Sequence, residues 1–215
     1  MKPSRPKYNY TWDPITVIKY LASYYPNSEL SLEKLTKKLV TLLALITAQR
    51  VQTLSLIKIK NIKFTDSFAQ IFIDDRIKTT KINKLQPLLE IPIFREQENV
   101  CVYSTLKEYI QKTAQIRKNE EYLILTIKSE HKKATTQSIS RWIKSTLEDS
   151  GIDTNIFSAH STRHAATSAA KRAGLNIEVI RKAAGWCKNS EVFEKFYNRP
   201  TFQKGIFANS IMNST

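Results

Sequence analysis

The segment from Ser31 to Thr47 constrains the fold of this chain more than any other part of the sequence. Its large apolar residues recur mainly at intervals of three and four, which places them along one side of an α-helix. Ser31 stands directly before them, where a hydroxyl group caps a helix N-terminus. We therefore expect a helix at the centre of a mostly helical core. The apolar positions are Leu32, Leu35, Leu39, Leu42, Leu43 and Ile46.

Helical patterns also precede and follow this segment. Asp13 and Pro14 form a typical helix start, a carboxylate N-cap followed by a proline at the first helical position. Gly174 and Gly185 stand where a helix would need a residue with positive φ after its last turn. We therefore predict further helices over residues 13–25, 102–110, 139–147, 160–173, 176–184 and 192–197.

A change of pattern between residues 59 and 93 predicts a small sheet. The runs Ala69–Asp74 and Leu88–Ile93 are typical of strands. The polar and basic stretch Arg76–Lys84 lies between them and suits a turn at the sheet edge. Pro92 cannot donate an N–H to a ladder, so its strand is expected at an edge. The apolar segment 122–126 is consistent with one more short strand.

These patterns indicate an α+β fold that is mainly helical, with a small antiparallel sheet inserted near the front. A chain of 215 residues is long enough for one domain with a sizeable core. We expect a basic disordered arm over residues 1–12 and a remnant N-terminal helix over residues 13–30. The main domain would occupy residues 31–200, and a tail would follow over residues 201–215.

The charge of the chain points to a polyanionic partner. Lysine and arginine number 34 against 19 aspartate and glutamate residues, which gives a net charge of +15. Nucleic acid is the first candidate partner and an anionic membrane the second, while a basic protein with no special partner is the plain alternative. The sequence has no apolar run long enough for a transmembrane helix and no signal-peptide pattern.

Several classes of site lack their usual motifs. Cys101 and Cys187 lie far apart and form no CxxC pair, so we expect neither a disulfide framework nor a zinc site. This sparse use of cysteine indicates a reducing compartment. The histidines do not show metal-ligand spacing. No glycine-rich phosphate loop is present. We therefore expect no metal, no cofactor and no small-molecule substrate.

The last quarter of the chain holds residues that could carry chemistry, although each has an ordinary structural alternative. His160 and Arg163 are three residues apart and share a helix face. Such a pair arises often by chance. Trp186 follows a glycine and Tyr197 follows a phenylalanine, and aromatic residues in such places commonly fill a core.

Arg50 and Lys78 add the groups that phosphate chemistry would need. Alone, Arg50 could serve only the end of its helix, and Lys78 could serve only to protect a sheet edge. Attack on a phosphodiester needs a nucleophile, positive charge at the non-bridging oxygens and a proton for the leaving oxygen. Arginine forks bind phosphate oxygens, a lysine can act as the acid, and a tyrosine can attack.

The order of these residues resembles that of the tyrosine recombinases, the phage integrase family. TAQRVQTLSL at residues 47–56 resembles the family's first arginine box, and IKTT at 77–80 its lysine hairpin. AHSTRHAA at residues 159–166 resembles the second box, and AGW at 184–186 and FY at 196–197 match the positions that follow. The resemblance covers roughly residues 31–200. LLALITAQRVQTL, SRWIK, AAGW and KFYNRP are similar to recombinases of eukaryotic mobile elements of the Crypton, DIRS and Ngaro kinds.

The resemblance implies a role for each residue. Tyr197 would attack the scissile phosphate and form a 3′-phosphotyrosyl link, without metal or ATP. Arg50 and Arg163 would bind the phosphate oxygens, and Lys78 would protonate the leaving 5′ oxygen. Support at the phosphate would come from His160 and Trp186. The residues expected to contact DNA are Arg50, Lys81, Arg163 and Arg199.

The chain departs from the family pattern in three places. A helical core-binding domain usually precedes the catalytic one, and only about thirty residues do so here. Tyr197 lies eleven residues after Trp186, a longer interval than is common in bacterial members. Lys81 competes with Lys78 for the hairpin role, and His164 is expected to face away from the phosphate.

The implied partners are double-stranded DNA and further copies of the chain, as a tetramer on two duplexes. The tail would then reach a neighbouring copy through Phe202, Ile206, Phe207 and Ile211. Two alternatives stay open: a truncated or domesticated protein that binds DNA without recombining it, and strand relaxation of the topoisomerase IB kind. The resemblance to eukaryotic elements implies a nuclear location.

Overall fold

The computed structural model describes residues 6–77, 86–186 and 191–201, together with Met212. Within these ranges the helices are α1 (Pro14–Ala22), α2 (Leu32–Thr47), α3 (Val51–Ser55), α4 (Val102–Thr113), α5 (Thr136–Asp149), α6 (Ser161–Arg172) and α7 (Ile177–Ala183). The strands are β1 (Ile62–Phe64), β2 (Phe68–Phe72) and β3 (Leu88–Pro92). Short 3₁₀ turns occupy Asn27–Glu29, Ile59–Asn61 and Arg95–Val100, and a π-helical turn occupies Phe193–Tyr197.

Helix α2 is the centre of the core, as its sequence predicts. The Ser31 hydroxyl accepts a hydrogen bond from the Lys34 N–H at 3.2 Å and caps the helix. Leu35 and Leu39 are fully buried, and α2 packs against α4, α5 and α6. Each fully buried leucine contributes about 1.5–3 kcal/mol of hydrophobic stabilisation. Ile46 differs from the prediction, since the last turn of α2 leaves it 38% exposed.

The connection from α2 to α3 places Arg50 between two helices. Ala48 ends α2 in the left-handed region with φ 49°. Arg50 is extended and stands at the N-cap of α3. It therefore does not lie in the last turn of α2, where it would have served the carbonyls of that helix.

The sheet is antiparallel in the order β1–β2–β3, and its apolar face lies on the core. The register pairs Ala69 with Ile91 and Ile71 with Leu89, and all four side chains are buried. Among the described strands, β3 lies at one edge of the sheet and carries Pro92, as predicted. Strand β1 was not predicted, because three residues are too few to show an alternating pattern.

Residues 122–126 form no strand of their own. Isolated bridges join Lys58 to Tyr122 and Leu125 to Lys133. The Tyr109 hydroxyl accepts a hydrogen bond from the Leu125 N–H at 3.0 Å. The segment is apolar because it is buried beneath α4, which explains why its composition suggested a strand.

The N-terminal residues differ from the expected disordered arm over the part that the structure describes. Tyr8 and Trp12 are each 5% exposed. The Tyr8 ring lies 5.4 Å from the Phe157 ring, and the Trp12 indole N–H donates to the Ser161 hydroxyl at 2.8 Å. Thr11 donates its N–H to the Pro200 carbonyl at 2.9 Å. Aromatic burial therefore fixes this segment against the start of α6.

None of the described helices is long and apolar enough to cross a membrane. Within the described ranges, no three histidine, cysteine, aspartate or glutamate side chains come together as a possible metal site.

Candidate active site

Helix α6 supplies one wall of the site. His160 stands at its N-cap, and Arg163 and His164 lie in its first turn. His160, His164 and Ser168 follow one another at intervals of four residues, so they share a face. All three contact Tyr197, by hydrogen bond or by ring packing.

Tyr197 lies inside the protein at the end of the π-helical turn. Its side chain is 9% exposed, and its hydroxyl oxygen lies 3.1 Å from Nε2 of His160. Its ring stacks on His164 with centroids 4.1 Å apart, and lies 4.7 Å from the Trp186 ring. The predicted nucleophile is therefore next to a possible proton acceptor.

Arg163 connects the parts of the site. It is fully buried, and its two terminal nitrogens donate to the carbonyls of Ala48 and Ala184, each at 2.6 Å. These carbonyls belong to the loops that carry Arg50 and Trp186. The guanidinium carbon also lies 4.5 Å from the Trp186 ring centroid. Arg163 thus holds both loops in place, while its remaining N–H groups are left for other acceptors.

The electrostatics of the site keep both histidines neutral. Burial, with smaller contributions from Arg163 and Arg50, lowers the pKa of His160 to about 4. Burial, followed by His160 and Arg199, lowers the pKa of His164 to about 3. Burial also lowers the pKa of Arg163 to about 10, so that it is still a cation at neutral pH. A neutral His160 can accept a proton at Nε2 when its other nitrogen carries the hydrogen.

Buried polar groups without partners surround Tyr197. Among the described residues, Nε of Arg163, Nε1 of Trp186 and Nδ1 of His164 are buried and make no hydrogen bond. The half-buried Arg50 guanidinium likewise has no hydrogen bond or ion pair within the described ranges, and its charge acts on His160 and Arg163. A buried group left unpaired costs about 1–3 kcal/mol. A ligand rich in acceptor oxygens would satisfy the donors among these groups.

Ser168 and His164 are site residues that sequence reasoning missed. The Ser168 hydroxyl donates to the Tyr197 carbonyl at 2.5 Å and accepts from the Arg199 N–H at 3.0 Å. The His164 ring stacks on that of Tyr197, and its expected orientation away from the phosphate stays a prediction. The signal was the interval of four residues from His160, which the motif alone did not single out.

Three predicted residues are placed elsewhere or are not described. The Arg199 guanidinium donates to the carbonyl of Asn198 at 2.9 Å and to that of Lys195. It therefore caps the π-helical turn, while its Nε has no hydrogen-bond partner among the described residues. Its contact with DNA stays a prediction. Lys78 and Lys81 lie outside the described residues, as do Cys187 and the tail positions named above.

Solved structures share this fold. XerA recombinase is 19% identical with a TM-score of 0.63, and the match covers 99% of this chain and 66% of that one. XerH site-specific recombinase bound to difH substrate is 12% identical with a TM-score of 0.65, covering 98% and 55%. A lambda integrase tetramer bound to a Holliday junction is 15% identical with a TM-score of 0.54, covering 96% and 52%. This chain thus spans between about half and two thirds of those proteins.

The family comparison covers most of the chain. No curated protein matches the sequence. The model of the phage integrase family matches residues 18–204, a range that includes every predicted catalytic position. The mostly helical fold with its small antiparallel sheet is that of a tyrosine recombinase catalytic domain. The chain therefore belongs to the phage integrase family.

Proposed function

We propose that this chain breaks and rejoins DNA strands, with Tyr197 as the nucleophile. The observation that carries the proposal is the 3.1 Å contact between the Tyr197 hydroxyl and the neutral His160 ring, beside the buried cation Arg163. A base in contact with a buried hydroxyl, next to fixed positive charge, is the arrangement that oxygen attack on phosphorus needs.

The reaction follows from the positions of these groups. The Tyr197 oxygen bonds to phosphorus and gives its proton to Nε2 of His160. The bond from phosphorus to the 5′ oxygen breaks, and that oxygen takes a proton from Lys78, by the role that the resemblance implies. Attack by a 5′ hydroxyl on the phosphotyrosine reverses each step. The bond energy is conserved in the covalent link, so that no ATP enters the balance.

Charge stabilisation falls to the two arginines and Trp186. The Arg50 guanidinium has no hydrogen-bond or ion-pair partner within the described ranges, and Arg163 retains N–H groups beyond those that bind backbone carbonyls. Fixed donors of this kind cost no reorganisation as charge develops on the phosphate oxygens. Trp186 would add its unpaired indole N–H.

The wider setting belongs to the same proposal. Double-stranded DNA as partner is supported by the net charge of +15 and by the DNA-bound XerH structure. Assembly as a tetramer is supported by the lambda integrase tetramer. Origin in a eukaryotic mobile element, nuclear location and the domain limits at residues 13–30 and 31–200 remain predictions that rest on sequence resemblance.

A covalent trap tests the proposal without knowledge of the target site. A library of nicked duplexes with a randomised centre is incubated with the protein, so that a cleaved fragment diffuses away and the adduct cannot reverse. Denatured protein–DNA adducts are separated and their DNA is sequenced. We expect adducts from the native protein, none from Tyr197→Phe, and equal DNA binding by both in a mobility-shift assay.

Two results would overturn this assignment. An adduct that persists in Tyr197→Phe would remove Tyr197 as the nucleophile. Binding without any adduct would favour a DNA-binding protein that does not cleave. Relaxation of supercoiled DNA by single copies, without strand exchange, would instead indicate the topoisomerase-like alternative.

A further inference from the structure

A basic cavity of about 350 Å³ lies beside α3, away from the contacts of Tyr197. It is open to solvent and lies between α3, Arg76 in the segment that follows β2, and the residues that lead into α5. Its polar lining consists of two cations and a group of hydroxyls. The residues that matter here are Ser55, Arg76, Lys133, Thr135 and Thr136.

No carboxylate lines this cavity to balance its two cations, although the Glu120 carboxylate accepts the backbone N–H of Lys133 at 2.9 Å. The nearby carboxylates Asp74 and Asp75 both pair with Lys58, at 3.2 and 2.9 Å. Asp75 also accepts from the Tyr122 hydroxyl at 3.0 Å. Within the described ranges, neither Arg76 nor Lys133 forms an ion pair.

Lys133 and two hydroxyl groups are held in place in the lining of this cavity. The Lys133 ammonium lies 3.3 Å from the centroid of the Tyr122 ring, which holds it in place without supplying a negative charge. The Ser55 hydroxyl donates to the Gln52 carbonyl at 2.8 Å and lies 3.3 Å from the Thr136 hydroxyl. The Thr136 proton can therefore be given to Ser55 or to a ligand.

A second polar cavity shows that this lack of counter-charge is not general. That cavity, next to β3, contains the cations Arg95 and Lys107 together with the carboxylates Asp66 and Glu98. Its charges are balanced, whereas the cavity beside α3 has two cations and no acid in its lining. The second cavity therefore offers a matched control.

We infer that the cavity beside α3 binds a DNA backbone phosphate other than the one that Tyr197 attacks. This inference rests on the proposed function for its ligand. Two cations of different shape and adjacent hydroxyl donors suit a phosphate group. The cavity adjoins the chain that leads to Lys78, and Ser55 follows Arg50 by five residues, roughly 7.5 Å along a helix axis. Arg50, at the N-cap of α3, and the cavity beside that helix are thus carried by the same short element.

The salt dependence of DNA binding tests the inference even where no cleavage occurs. The probe is a labelled duplex of random sequence, and affinity is measured between about 50 and 200 mM salt. For the double variant Arg76→Gln/Lys133→Gln we expect about tenfold or greater loss of affinity and a salt slope smaller by about 1. Arg95→Gln/Lys107→Gln removes the same charge from the balanced cavity and should change the slope by less than half as much.

Two further experiments test whether the change in salt slope comes from misfolding and which phosphate the cavity binds. The charge-preserving variant Arg76→Lys/Lys133→Arg should retain the slope, and thermal unfolding shows whether each variant is folded. If the covalent trap yields a target duplex, neutral methylphosphonates are placed at each non-scissile position in turn. We expect the methylphosphonate at one position to weaken DNA binding by the native protein but not by the double glutamine variant.

The inference fails if the double glutamine variant, shown to be folded, keeps the native salt slope. It also fails if the double glutamine variant loses binding of inorganic phosphate but keeps the native affinity for DNA. The cavity would then be a site for a free anion. Absence of any adduct, together with a reduced slope, would refute the proposed cleavage and leave the phosphate contact standing.

Discussion

Nε2 of His160 lies 3.1 Å from the Tyr197 hydroxyl oxygen, and the two residues are 37 positions apart in the chain. The contact is made possible by α6, whose N-terminus carries His160, and by Ser168, which binds the Tyr197 backbone two turns later. Because the pKa of His160 is lowered to about 4, its ring is a proton acceptor at neutral pH. Tyr197 is thus paired with a base before any DNA is bound.

The first prediction concerns the pH dependence of cleavage. A lowered pKa keeps His160 unprotonated as pH falls, so the second-order rate of adduct formation should not fall between about pH 7.5 and 5.5. Measured below DNA saturation, this rate reports ionisations of the free protein. An acid limb centred near the ordinary histidine value of about 6.5 would contradict it.

The second prediction concerns the same base. His160→Gln retains a polar side chain but cannot take the tyrosyl proton, so adduct formation should slow by about 10²–10⁴-fold. DNA affinity should change little, because His160 is neutral. A single-turnover time course at saturating DNA measures the effect. Equal loss of affinity and rate would instead indicate a role in binding.

The third prediction concerns Ser168, which positions Tyr197 without touching the substrate. Ser168→Ala removes the 2.5 Å bond to the Tyr197 carbonyl and the acceptor of the Arg199 N–H. Stability should fall by about 1–2 kcal/mol, while cleavage falls by up to about 10²-fold because the hydroxyl is misplaced. Ser145→Ala, at a weak exposed contact, is the control. Rates that follow the folded fraction alone would show that Ser168 is merely structural.

The helices and the sheet could largely be predicted because their signals are local. The cap at Ser31, the proline after Asp13 and the glycine after α6 each act within a few residues. Periodicity then indicates which face is buried. The order of candidate residues also identified the surroundings of Tyr197.

The contacts that finish the site could not be predicted, since they join distant segments. Tyr8 reaches Ser158 across 150 positions, and Arg163 binds the backbone of Ala48 across 115. Backbone carbonyls carry no sequence signal, so a motif cannot show that an arginine will bind them. The burial of Tyr8 and Trp12 was missed for a different reason, because the basic and polar residues around them are typical of a disordered arm.

The fourth prediction concerns stability in acid. The pKa of His164 is about 3 in the folded protein and near 6.5 when unfolded, so the unfolded state binds more protons between these values. Stability should be fully present above about pH 6.5 and decrease below it, with His164 contributing a loss of about 2 kcal/mol by pH 5. His164→Phe preserves a ring against Tyr197 and should reduce this loss, as chemical denaturation at the two pH values would show. An unchanged loss would mean that the pKa of His164 is not lowered in the folded protein.

The fifth prediction concerns Lys38, a fully buried ammonium in the core of α2. Its Nζ donates to the Asn27 side-chain oxygen at 2.8 Å and to the Tyr24 carbonyl at 2.5 Å, and burial lowers its pKa to about 8. Asn27→Ala takes an acceptor from a charge that water cannot reach, and should cost about 2–3 kcal/mol of unfolding free energy. In a Lys38→Met background the same change should cost less than about 1 kcal/mol, because no buried charge remains to be satisfied. The cycle cancels the weaker bond from Asn27 to Thr105, which is lost in both backgrounds. Additive effects of the two substitutions would show that Asn27 does not stabilise the ammonium.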